Sequence, residues 1–77
     1  MSNLKSTIVR ESRALKLVKE NGQLWVEKGD FCASLACASN EYELTHLGTG
    51  VPIQLTKSEQ LIVDKWEVEA FRNNWEG

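Results

Sequence analysis

The chain predicts an α+β fold: a small antiparallel meander of about four or five strands with one C-terminal helix packed on a face. Three observations predict it. Asn21-Gly22 separates two alternating apolar runs, the strongest short-range hairpin signal a sequence carries. Further turn residues follow at short intervals, at Gly29-Asp30, Ser39-Asn40 and Gly48-Thr49-Gly50. Thr56-Lys57-Ser58-Glu59 has the form of a capping box ahead of an apolar run. With 77 residues the chain makes one small domain, residues 1–77, with 1–6 and 76–77 expected to fray. A domain of this size buries only about 60–65% of its unfolded surface, so its core is thin.

Thr7-Ile8-Val9 is β-branched and predicts a short strand. A helix is the rival over residues 4–12, because Leu4, Ile8, Glu11, Leu15 and Val18 also follow helical spacing. The alternation of Leu15 and Leu17 with Leu24 and Val26 favours the hairpin. With the turn at Asn21-Gly22, Val18 faces Trp25 and Lys16 faces Glu27. A slip of one residue would expose the four aliphatics, which fixes the register. Phe31 to Ala38 is expected as a strand with one bulky and one small side. The alternative there is a short helix capped by Asp30, since Ala and Leu are good helix formers.

Glu41 to Leu47 alternates and predicts a strand, with Tyr42 and Leu44 pointing one way. Val51 to Leu55 alternates again. Pro52 cannot donate a ladder hydrogen bond, so this strand belongs on an edge. The capping box then starts a helix from about Lys57 to Asn73 or Trp75. An extended Lys65–Phe71 is its rival, because W-E-V-E-A-F alternates strictly. Residues expected in the core are Leu15, Leu17, Leu24, Val26, Phe31 and Leu35, followed by Leu44, Ile53, Leu55, Ile62 and Trp66.

Charge and composition narrow the function classes. The start M-S-N-L-K-S has no apolar run, and no long uncharged apolar stretch occurs, so neither a signal peptide nor a membrane span is expected. Two cysteines do not make a disulfide framework, and a cytoplasmic protein with reduced thiols is the expectation. The formal charge is −2 and the pI about 5.3. Residues 1–28 carry six Lys or Arg against three Glu, net +3, and residues 29–77 carry three against eight Asp or Glu, net −5. Such a split can guide partner contacts or self-association, although mixed solvated surface also explains it.

No constellation carries chemistry. Cys32, Cys37 and His46 lack a fourth ligand and the tight spacing of zinc sites, so no metal is expected. Nothing orients His46 toward a thiol, so no catalytic residue is assigned. Gly48-Thr49-Gly50 lacks the Lys-Ser/Thr ending of a phosphate loop, and no cofactor is expected. Glu67 and Glu69 do not face each other on a helix.

The expected function is therefore that of a non-enzymatic interaction or regulatory protein. It would bind another protein, or itself as a homodimer, through the last helix. That helix has apolar residues on more than one side, which asks for two partners. Val68, Phe71 and Trp75, rimmed by Glu67, Glu69 and Arg72, form the expected contact patch, because aromatics and Arg anchor interfaces. In size and style the chain is similar to accessory or inhibitory proteins of phages and mobile elements. Two alternatives remain. One is nucleic-acid binding through the basic hairpin, with Arg13, Lys16 and Trp25 in contact, which the acidic pI disfavours. The other is nucleic-acid mimicry by the acidic half.

Overall fold

A computed structural model describes residues 7–74. It holds one antiparallel sheet of six strands in sequence order, with two helices. The strands are β1 (Thr7–Ser12), β2 (Leu15–Glu20), β3 (Gln23–Lys28), β4 (Phe31–Ser34), β5 (Glu43–His46) and β6 (Pro52–Gln54). Helix α1 (Leu35–Glu41) follows β4, and α2 (Lys57–Asn73) closes the described chain. The α+β meander is as expected, with six strands in place of four or five and one helix more.

The central hairpin has the anticipated register: Lys16 opposite Glu27, Leu17 opposite Val26, and Val18 opposite Trp25. Asn21 and Gly22 both take positive φ, at 55° and 79°, the signature of a type I′ turn. Residues 7–12 are strand, which excludes the rival helix there. The β1–β2 register shifts between Ile8 and Arg10, a bulge that leaves Val9 without a ladder partner. Val9 turns instead onto the core.

The expectations over residues 31–42 are corrected. The strand stops at Ser34, and Leu35–Glu41 is helical, so Ser39-Asn40 is no turn. The cap is Ser34, not Asp30: its Oγ accepts from the Cys37 amide at 3.3 Å. Tyr42 belongs to no strand. It ends α1 in the left-handed region, φ 56°, where its amide donates to the Ala38 carbonyl. A tyrosine is costly there, and two contacts hold it. Its carbonyl accepts from the Leu55 amide at 2.9 Å, and its hydroxyl donates to the Asp64 carboxylate of α2 at 3.0 Å.

Both helices lie on one face of the sheet. The core cluster joins Leu15, Leu17, Leu24, Val26 and Leu44 of the sheet to Leu35 and Ala38 of α1 and to Val63, Trp66 and Ala70 of α2. Phe31, Ile53 and Ile62 are half-buried at its margin, not within it. Phe31 opens the interior strand β4, Ile53 sits on the edge strand β6 and Ile62 on the flank of α2, where the thin core does not close over them. Leu55, at the entry to α2, is buried.

Helix α2 has the expected capping box in full. The Thr56 hydroxyl accepts from the Glu59 amide at 3.3 Å, and the Glu59 carboxylate accepts from the Thr56 amide at 2.9 Å. Two ion pairs fasten the helix to the sheet. Lys28 Nζ at the end of β3 lies 2.8 Å from Glu59 Oε2, and Arg10 Nε of β1 lies 3.5 Å from Glu69 Oε1.

Candidate protein-interaction surface

The surface follows from how α2 is used. At 100° per residue, Val63, Trp66 and Ala70 share one narrow stripe, and this stripe is buried. Leu61 and Val68 lie roughly half a turn away from it, and Phe71 lies beside them. All three are uncovered: Leu61 is 67% exposed, Val68 55% and Phe71 90%. The sheet is too small to wrap the rod, so the second apolar side faces outward. An exposed Phe on a helix costs solvation that the fold itself does not recover.

Two concavities meet at Phe71. One, about 280 Å³, runs between the helices and is lined by Leu35, Ala36, Glu67, Ala70, Phe71 and Asn74. The other, about 300 Å³, is lined by Glu67, Val68 and Phe71. Glu67 and Phe71 border both. Of the anticipated patch, Val68, Phe71, Glu67 and Arg72 are exposed on α2. Glu69 is turned toward β1 and paired with Arg10, with its Oε1 buried, so the fold takes it up. Trp75 lies outside the described residues, as do 1–6 and 76–77. The periodicity of α2 signalled this surface, but Leu35 and Ala36 were not anticipated in it. Their approach depends on α1, which the alternating reading of Phe31–Ala38 hid.

The opposite face of the sheet carries no helix among the described residues. Ladder partners share a face, so one row there reads Ile8, Val18, Trp25 and Ser34. Val18 is only 4% exposed although it stands apart from the core cluster. Ile8 and Trp25 flank it across both ladders. The next row reads Glu11, Lys16, Glu27, Cys32 and Thr45. Lys16 therefore stands between two carboxylate-bearing neighbours. Arg13, φ 57°, is in the exposed β1–β2 turn, away from the Lys16–Trp25 diagonal.

Cys32, Cys37 and His46 are not brought together. Cys32 is on the open face, where burial and the nearby Glu27 carboxylate push its thiol up from the usual range. Cys37 is exposed on α1. His46 is on the core side, edge-on to Phe31 at 5.0 Å. Its Nδ1 accepts from the Gly48 and Thr49 amides, both at 3.0 Å, which makes it a brace for the β5–β6 loop. Among the described residues no three His, Cys, Asp or Glu side chains are grouped to hold a metal. No described helix is long and apolar enough to cross a membrane.

No family model, curated protein or solved structure matches this chain.

Proposed function

We propose that this is a non-enzymatic interaction protein that docks on another protein, or on a second copy of itself, through the outer side of α2. One observation carries the reading: Leu61, Val68 and Phe71 form an uncovered apolar strip on a helix whose other side is fully engaged in the core. Large exposed apolar groups clustered on a rigid element mark contact sites, and an aromatic beside charged residues is the usual anchor. The capping box and two ion pairs hold the helix in place, so little ordering would oppose docking.

Nucleic-acid binding through Arg13, Lys16 and Trp25 draws less support. Affinity for phosphates needs uncompensated cations, and Lys16 stands between Glu11 and Glu27.

The test is Val68→Asp combined with Phe71→Asp, both exposed positions that leave the core intact. Light scattering follows self-association, and titration with a partner purified from the source cells follows docking. The pair is expected to abolish whichever association the wild type shows, weakening it at least tenfold. If oligomeric state and partner affinity are both unchanged, the reading fails.

A further inference from the structure

The groove between α1 and α2 has a chemistry of its own, beyond the exposed strip. Apart from Glu67 and Asn74 its lining is apolar: Leu35 and Ala36 from α1, Ala70 and Phe71 from α2. Its one charged lining residue is Glu67, which also lines the adjoining concavity beyond Phe71. Glu67 is exposed, and it has no ion-pair partner among the described residues. Helix α1 offers no cation to neutralise this carboxylate, its only charged residue being Glu41. Asp64 is three residues before Glu67 and shares its side of α2, adding to the negative field. A volume of about 280 Å³ is at the small end for ligand pockets, enough for one or two large side chains.

We infer that this groove receives a bulky apolar side chain carried on a basic amphipathic segment of a partner protein, with Glu67 pairing the flanking Lys or Arg. The inference rests on the docking role proposed above and names the partner's chemistry. Charge complementarity selects it. An acidic segment or a phosphate backbone would meet Glu67 and Asp64 with like charge, whereas a basic one gains both steering and a rim contact. A helix laid in a groove, with an apolar anchor every three or four residues, fits a cleft between two helices. Phe71 is the wall that the anchor packs against, and Ala36 and Ala70 are small enough to leave the room it needs.

The probes are two synthetic amphipathic helical peptides with the same Leu and Phe stripe, one flanked by Lys and the other by Glu. Amide chemical shifts of the full chain are followed at two salt concentrations, with a short DNA duplex as a third probe. The Lys peptide is expected to bind best, with the largest shifts at Leu35, Ala36, Ala70 and Phe71. Glu67→Lys should reverse the preference between the peptides. Ala36→Phe, at an exposed position, should fill the groove and weaken the Lys peptide at least tenfold without unfolding the chain. The inference is overturned if the two peptides bind alike, if neither binds, or if DNA competes for the same amides. Lys-peptide binding that survives Ala36→Phe and vanishes at moderate salt also overturns it, as diffuse attraction. Should the groove fail while Val68→Asp with Phe71→Asp still abolishes association, docking stands and only the groove is removed from it.

Discussion

Single residues set the turns, and Gly22 isolates the effect. Its φ is +79°, and a Cβ added there would meet nothing within 4 Å. Space is therefore not the issue, and any penalty for a side chain is the backbone's alone. That penalty is about 1–2 kcal/mol in the left-handed region, offset by roughly 0.4–1 kcal/mol from a less flexible unfolded chain. Gly22→Ala should thus lower stability by about 0.5–1 kcal/mol, seen as a lower urea midpoint with unchanged slope. This turn was legible because Asn and Gly advertise positive φ. Tyr42 also adopts it, with nothing local to say so. Its conformation is held from a distance, by the Leu55 amide and the Asp64 carboxylate.

Among the elements, α2 was the most readable and α1 the least. Thr56-x-x-Glu59 states a helix start in four residues, and both of its reciprocal bonds are present. Thr56→Ala should cost about 1 kcal/mol, since one amide of the first turn loses its acceptor. Native-state hydrogen exchange should show the loss confined first to the opening turn of α2. Phe31–Ala38 was ambiguous because eight small or apolar residues suit both a strand and a helix. Ser34 ahead of Leu-Ala-Cys-Ala was the signal for a cap, competing with an alternation that fits equally well. The choice falls to packing: α1 sets Leu35 and Ala38 into the core beside α2, which a continued strand would leave bare.

For the whole molecule, the closest tie between sheet and α2 is the Lys28–Glu59 pair. Burial pushes the Glu59 carboxyl up, but the Lys28 ammonium and the Thr56 amide and hydroxyl outweigh it, and the net shift is downward. A carboxyl whose folded pKa is depressed contributes stability above its unfolded pKa and loses it as pH falls through the folded one. Acid unfolding should therefore begin below about pH 4.3, the ordinary Glu value. Lys28→Met should move the acid midpoint upward, and circular dichroism against pH measures it. Stability near pH 7 should fall in the same variant, because Glu59 keeps its charge there without its partner.

The chain alone determined the hairpin register, the edge position of Pro52, the capped start of α2 and the surplus of apolar residues after it. Each is a local matter: turn geometry, a missing amide, a cap, an apolar run. The rival extended Lys65–Phe71 was excluded only by the structure, where α2 runs unbroken over Lys57–Asn73. The tertiary structure decided which side of α2 is buried, that Glu69 is drawn to Arg10, and that α1 stands beside α2 to make a groove. Those outcomes depend on how many apolar side chains one small sheet can cover. That limit is set by the area of six short strands, and no window of the sequence contains it.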